Sequence, residues 1–340
     1  MSNQEVQVVA QARQQRGAEG STFADMVLRF VGRYGVLIVM VVTFAIFSLL
    51  RPDAFFTLFM MKSILRDSAP LMVASLGVTF VLVMNDYDIS LGGLTALLAT
   101  CAVLFVSTDH ANLGVVGAVL ATLLLGGALA FANGLLISYA GLPSFILTIA
   151  MGTVFTGIGL QLTGSRSIYG GVPEGYAAIA GGNVFGLSNQ VFIGLGVLIV
   201  AHLFLRHSEA GRYMYAIGGN AEAARLSGVR VQLLKAVGFG MVGLAAAITA
   251  ILLTSQANAA NPNTGLGLLL PAYAAAFLGS SLFRFGTFTA LGTAVAALYL
   301  QIIGAGLTIL NLSGPLIQII QGSILVAAIG LARFNRQASR

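Results

Sequence analysis

Residues 113–139 read LGVVGAVLATLLLGGALAFANGLLISY, 27 positions without one charged side chain. An α-helix rises 1.5 Å per residue and the bilayer core is about 30 Å thick, so about 20 apolar residues cross it. This stretch is long enough, and its glycines suit a helix that packs closely on its neighbours. Nine further apolar runs flank it: 34–50, 69–84, 89–107, 142–163, 189–205, 236–254, 268–283, 287–310 and 315–332. The chain is 57% hydrophobic and 8% charged, against roughly 25% charged in soluble domains. The expected fold is an all-α integral membrane protein of about ten transmembrane helices. A polar tail over 1–33 leads into a bundle over 34–333, and 334–340 form a second tail.

Lysine and arginine set the expected orientation. With the amino terminus cytoplasmic, ten spans leave 13 cations inside (Arg13, Arg16, Arg29, Arg33, Arg206, Arg212, Arg225, Arg230, Lys235, Arg284, Arg333, Arg336, Arg340). Only Arg51, Lys62, Arg66 and Arg166 fall outside. This satisfies the positive-inside rule and places both termini in the cytoplasm. The outer loops are then 51–68, 108–112, 164–188, 255–267 and 311–314. The longest, 164–188, is rich in Gly, Ser and Asn and reads as an irregular surface segment able to meet an external partner, or else as a disordered connector.

The largest polar stretch is 206–235, RHSEAGRYMYAIGGNAEAARLSGVRVQLLK, with five cations against Glu209 and Glu222. Gly218-Gly219-Asn220 is a turn signal. Residues 221–226 are good helix formers halted by Ser227-Gly228, with Asn220 placed to cap the stub and Glu222 to complement its dipole. A two-turn helix is marginal alone, so packing must hold it. The other reading is a solvated loop that only anchors orientation.

The sequence also excludes chemistry. It contains no G-x-x-x-x-G-K-[ST], so it does not hydrolyse ATP through a P-loop. None of its 11 acidic residues falls within an expected span, whereas a proton-coupled carrier keeps an ionisable group near mid-bilayer. His110, His202 and His207 form no metal-ligand spacing, and Cys101 is the single cysteine. The absence of Trp removes indole stacking from any sugar site. The basic residues lie at helix ends and in loops, which speaks for membrane orientation and against nucleic acid.

Gly211-Arg212-Tyr213-Met214-Tyr215-Ala216-Ile217-Gly218-Gly219-Asn220-Ala221-Glu222-Ala223-Ala224-Arg225-Leu226-Ser227-Gly228-Val229 resembles the cytoplasmic loop of the permease subunits of bacterial ABC importers of the ribose/xylose/arabinose type. In the same order, Asp88-Ile89-Ser90-Leu91-Gly92 is similar to that family's D-[LI]-S-x-G, and Pro143-Ser144-Phe145-Ile146-Leu147-Thr148 to its P-x-F-I-x-T. Ala132-Asn133-Gly134-Leu135 and Ala274–Leu282 follow suit, so the resemblance runs from about 35 to 333. Two stretches depart from the pattern: Asn85-Asp86-Tyr87-Asp88, where a G-[IG]-D entry is commoner, and Leu269-Leu270-Pro271-Ala272-Tyr273, in place of E-L-D-A-I.

The resemblance implies a multi-pass permease of the bacterial inner membrane that pairs with a second copy or a paralogue. It also implies a cytoplasmic ATPase that carries ATP and Mg, and a periplasmic solute-binding protein that delivers a sugar or polyol. This chain itself would hold no cofactor. Nucleoside, autoinducer and branched-chain amino acid import are rival cargoes, and an ion-coupled carrier is a rival class. Gly211, Arg212, Tyr215, Gly218, Gly219, Asn220, Glu222, Ala223, Ala224, Arg225 and Gly228 form the expected ATPase-coupling loop. Asp88 and Ser90 read as caps of the third span or as an inner gate. Asn133, Phe145, Thr148 and Gln161 line the translocation path or make helix–helix contacts.

Overall fold

The computed structural model describes residues 23–282, 286–323 and 326, with side chains from residue 37 onward. The helices are α1 (Phe23–Leu50), α2 (Pro52–Phe55), α3 (Leu58–Val83), α4 (Leu91–Val106), α5 (Gly114–Tyr139) and α6 (Ser144–Thr163). They continue with α7 (Glu174–Gly181), α8 (Asn189–His207), α9 (Glu209–Gly219), α10 (Ala221–Leu226), α11 (Val231–Ala257), α12 (Leu269–Gly279) and α13 (Ala290–Ile309). A further helical stretch covers 314–323. Four two-residue strands complete the described residues: β1 (Ile168–Tyr169), β2 (Asn183–Val184), β3 (Leu187–Ser188) and β4 (Ala259–Ala260).

Six of these helices are long and apolar enough to cross a membrane: α3, α5, α6, α8, α11 and α13. Leu37–Leu50, Leu91–Val106 and Leu266–Gly279 are shorter apolar helices. Burial divides the set. The apolar windows of α3 and α11 are 83% and 72% buried, while those of α5 and α6 are only 22% buried. The first two form the centre of the bundle, where Leu76, Leu82, Leu94, Leu98, Phe239, Val242 and Ala246 meet in one cluster. The others turn much of their apolar surface outward.

Lipid chains are as apolar as leucine, so helices in a bilayer gain by dispersion and close backbone approach, not by leaving the solvent. The α5–α11 crossing shows how this sequence achieves it. A Cβ on Gly126 would lie 2.6 Å from the Gly243 carbonyl oxygen, and one on Gly243 would collide with the Gly126 carbonyl and approach Ala130. Glycine at both positions lets the two backbones touch.

Several expected boundaries move. The first helix begins at Phe23, ahead of residue 34, and 1–22 lie outside the described residues, as do Arg284 and 327–340. The expected outer loop 51–68 is mostly helix: α2 fills 52–55, and α3 starts at Leu58 in place of 69. Thr57 caps α3 by accepting the Met60 N–H at 3.1 Å. Lys62, Arg66 and Asp67 therefore lie on the helix, with Arg66 and Asp67 paired at 2.7 Å. The expected span 268–283 contains an 11-residue helix, α12, preceded by a 3₁₀ turn over Leu266–Leu268. At 1.5 Å per residue α12 is about 17 Å long, about half a bilayer core.

The segment 164–188 is ordered, not irregular. Strand β1 pairs antiparallel with β4, setting Ile168 opposite Ala260. Tyr176 of α7 is fully buried and shares a 2.7 Å hydrogen bond with Thr254 near the end of α11. Strands β2 and β3 form a hairpin turned by Phe185 and Gly186, both at positive φ (51° and 75°).

Gly243→Ala should lower the apparent Tm of the detergent-solubilised protein by several degrees, because overpacking a backbone contact costs about 1–3 kcal/mol. Gly196→Ala on α8 meets no atom within 4 Å among the described residues, and it should be neutral or stabilising by up to about 1 kcal/mol through helix propensity. Size-exclusion profiles recorded after heating distinguish the two.

Candidate functional site

The polar stretch 206–235 folds into two short helices laid across one end of the bundle. Ser208 ends α8 and caps α9, accepting the Gly211 N–H at 2.9 Å. Gly211 is buried in that corner, where a Cβ would strike the backbone of Phe204 and Leu205. Met214 and Ile217 face the bundle and are buried, and Arg212 donates to the His207 carbonyl at 3.1 Å. Tyr215 reaches across to α13's lead-in segment, donating to the Phe288 carbonyl at 2.7 Å.

The expected turn at Gly218-Gly219 is helix instead, and the chain breaks only at Asn220, which is extended (φ −159°, ψ 103°). Gly218 stays because α9 presses directly on the last turn of α3: a Cβ there would collide with the Val83 carbonyl. Asn85 adds a hydrogen bond from its side-chain amide to the Gly218 carbonyl.

The stub α10 is built as its residues imply. Asn220 Oδ1 accepts the Ala223 N–H at 3.0 Å. Glu222 and Arg225 pair one turn apart at 2.6 Å, and the guanidinium holds the Glu222 carboxyl below the usual carboxylate range through that hydrogen bond and its charge. Ala224 faces inward and is buried, whereas Ala223 is exposed and Leu226 is 79% exposed. Gly228, at φ +85°, closes the stub. Gly219, Asn220, Glu222, Ala223, Arg225 and Leu226 thus form one outward surface of small, charged and apolar groups on a short fixed helix.

Residues 85–90 connect this platform to the interior. Lys235, in the first turns of α11, places Nζ 2.9 Å from Asp86 Oδ2, an ion pair held by charge and not by well-aligned hydrogen-bond geometry. The Asp88 N–H donates to the Tyr273 hydroxyl at 2.8 Å, and the Ile89 N–H donates to Thr148 Oγ1 at 3.0 Å. Asp88 Oδ1 accepts from both the N–H and the hydroxyl of Ser90, closing a tight turn. Ser90 therefore caps no helix with its side chain; α4 begins after a turn closed by Asp88. Both residues are fully buried, and Asp88 Oδ2 has no hydrogen-bond partner among the described residues.

The structure brings Asp88, Ser90 and Thr148 together and separates the other expected path residues. Asn133 is buried on α5, adjacent in sequence to Gly134, whose backbone closely approaches Ala236 of α11. Phe145 is exposed at the start of α6 and Gln161 near its far end. Between them Thr153 and Thr156 line a groove of about 450 Å³ with Gly92, Gly93, Gly152 and Leu266. On the other side of the half-length helix α12, Gln318 and Gln321 line a cavity of about 260 Å³ that also includes Leu266 and Leu270. Thr153, Thr156, Gln318, Gln321 and the Tyr87–Tyr273 stack (6.3 Å, 20°) were not singled out by sequence reading. The two departures from the family pattern were the available signal: Tyr87 lies in one and Tyr273 in the other, and the two rings are in contact.

A family profile described as branched-chain amino acid transport system / permease component matches residues 60–329. The ribose import permease protein RbsC of Escherichia coli (strain K12) is 31% identical over 298 residues, covering 86% of this chain and 91% of that protein. The D-allose transport system permease protein AlsC of the same strain is 28% identical over 306 residues (89% and 92%). The L-arabinose ABC transporter permease protein AraH of Azospirillum brasilense is 29% identical over 317 residues (92% and 91%). No solved structure matches. The matched stretch takes in the bundle from α3 onward, the half-length helix and the α9–α10 platform, and the chain belongs to the family of branched-chain amino acid transport system permease components.

Proposed function

We propose that this chain is the membrane-spanning permease of an ATP-driven importer of a sugar or polyol. The observation that carries the proposal is the α9–α10 platform: a capped helix held in backbone contact with the bundle, with Glu222, Arg225 and Leu226 facing away from it. A loop that only anchored orientation would need neither the Asn220 cap nor the Gly218 contact. The platform receives a cytoplasmic ATPase, which holds the ATP and Mg. The opposite end, where Tyr169 and Phe185 are 77% and 96% exposed on the ordered 168–188 segment, receives a periplasmic solute-binding protein. About ten spans with both termini cytoplasmic place these two ends on opposite sides of a bacterial inner membrane.

The translocation path follows from the cost of polar groups in lipid. Thr153 and Gln161 on α6 and Gln318 on the 314–323 helix are exposed, and Thr153 and Gln318 line cavities bordered by α12. Exposed amides on spanning helices lose hydrogen bonds in hydrocarbon, so they belong against water or a second chain. We assign this face to the contact with a second permease copy or a paralogue, each contributing half of a path lined by hydroxyl and amide groups suited to a hydroxylated solute. The relatives are named for ribose, allose and arabinose, and this favours a sugar over the branched-chain amino acids of the family description.

Motion of the ATPase would reach that face through residues 85–90. These residues touch α9 through Asn85, α11 through Asp86, α6 through Ile89 and α12 through Asp88.

Co-purified with its native partners, the permease is expected to support ATP hydrolysis that rises when the binding protein is loaded. Uptake into vesicles driven by an ion gradient, with no ATPase present, would defeat this reading. Exchanging Glu222→Lys with Arg225→Glu keeps the pair within α10 but reverses its outward charges, and it should cut ATP-dependent uptake at least tenfold. Single cysteines at Thr153, Gln161 and Gln318, in a Cys101→Ala background, should react with a water-soluble thiol reagent. Cysteines at Leu124 and Val200, exposed on the lipid-facing helices α5 and α8, should not. Asp86→Asn and Lys235→Met should each lower the solute carried per ATP about fivefold, within the range by which residues along a coupling network act, and the exchange Asp86→Lys with Lys235→Asp should recover part of the loss.

A further inference from the structure

A cavity of about 580 Å³ opens beside the α8–α9 corner, lined by His202, Arg206, Arg212, Tyr215, Thr287 and Thr289 together with Leu205, Ala290 and Leu291. His202 and Arg206 are one turn apart on α8, and Arg212 comes from α9. The cavity wall includes the first turn of the 20-residue helix α13, where Thr289 caps the Gly292 N–H. The N–H groups of Ala290 and Leu291 precede the first intrahelical bonds and add partial positive charge at the same place.

Among the described residues, no carboxylate lines this cavity. Among the described residues, the island's other acids are engaged elsewhere: Glu209 with Tyr213 at 2.6 Å and Glu222 with Arg225. The three ion pairs of the described residues do not include Arg206 or Arg212. Two guanidinium groups, an imidazole and a helix amino end thus converge on one concave site with no carboxylate on its walls among the described residues. Like charges gathered on one concave wall repel one another, and an anion entering the cavity relieves that repulsion.

We propose that this cavity binds the phosphate of an anionic phospholipid headgroup. Guanidinium groups match phosphate oxygens in a two-pronged geometry, and a helix amino end completes a phosphate cradle. The walls supply the rest of the lipid. Leu205 is a buried lining residue, and Leu291, 38% exposed on the same wall, offers apolar surface to an acyl chain. The site lies where α8 and α13 emerge from the apolar region, at the end of the bundle that carries the basic residues. Bilayer headgroups lie at that level, and basic pockets between spanning helices on that side suit anionic lipids. The bound headgroup would link α8, α9 and α13.

The full-length protein in detergent can be titrated with phosphatidylglycerol, with phosphatidylcholine and with inorganic phosphate. Thermal unfolding and native mass spectrometry report binding. Phosphatidylglycerol should raise the apparent Tm and remain bound, and phosphatidylcholine should do neither. Arg206→Gln and Arg212→Gln should each weaken phosphatidylglycerol binding about fivefold, the contribution of one cation near an anionic lipid surface. Arg230→Gln, an exposed cation of the same island outside the cavity, should stay within about twofold of the unsubstituted protein. Equal binding of phosphatidylcholine by the unsubstituted protein, or undiminished phosphatidylglycerol binding by both arginine variants, would overturn the proposal. Protection by inorganic phosphate equal to that by the lipid would overturn the headgroup assignment. The lipid preference of the unsubstituted protein decides the matter even where a variant fails to fold.

Discussion

A backbone that leaves the helical ladder inside a bilayer must find its hydrogen-bond partners in protein, since hydrocarbon offers none. This constraint explains the most polar interior feature of the chain. Residues 85–90 separate α3 from α4: the Asn85 and Asp86 N–H groups donate to the Leu82 and Val81 carbonyls at the end of α3, and those of Asp88, Ile89 and Ser90 donate to the Tyr273 hydroxyl, Thr148 and the Asp88 carboxylate. The turn ahead of α12 is satisfied locally, with the Leu266 and Leu268 N–H groups donating to the Asn263 and Gly265 carbonyls of the turn itself. The break between α3 and α4 is therefore tied to the helices around it, α12 through Tyr273 and α6 through Thr148. A segment that must be pinned in this way also transmits displacement between the helices that pin it.

The hydropathy of the sequence made the bundle legible. Runs such as 113–139 and 142–163 fold almost within their expected limits, as Gly114–Tyr139 and Ser144–Thr163, because a long charge-free stretch has few alternatives. Boundaries moved where helix and apolarity part company. Lys62, Arg66 and Asp67 continue α3 ahead of the charge-free run from which the span was read. The half-length α12 has the composition of a full span, so only its packing shows that it is too short to cross alone. The stub α10 was legible because capping is local: Asn220, Glu222 and Gly228 act within a few residues of one another. The polar groups around α12 were not, because Thr153 and Gln318 become neighbours of one half-helix only through tertiary packing.

The two places where the sequence departs from its family's pattern are adjacent in space. Tyr87 stacks on Tyr273, and the Tyr273 hydroxyl takes the Asp88 N–H. Stretches that read separately as irregularities prove to be two halves of one contact between the 85–90 turn and α12. Read together, they keep a buried turn hydrogen-bonded where the commoner residues would do so differently.

Helix α11 is fastened at both ends. Near its start Lys235 is paired with Asp86, and near its finish Thr254 is bonded to Tyr176 of the opposite end's ordered segment. Its 27 residues form a rod of about 40 Å, buried along most of its length and held against α5 by backbone contact. A rod gripped so closely does not bend to absorb a push. A displacement of the 174–181 helix by whatever binds above it would arrive at Lys235 as an axial shift or a rotation of the whole element. The two faces of the membrane would thus be kept in phase by stiffness rather than by a relay of small rearrangements.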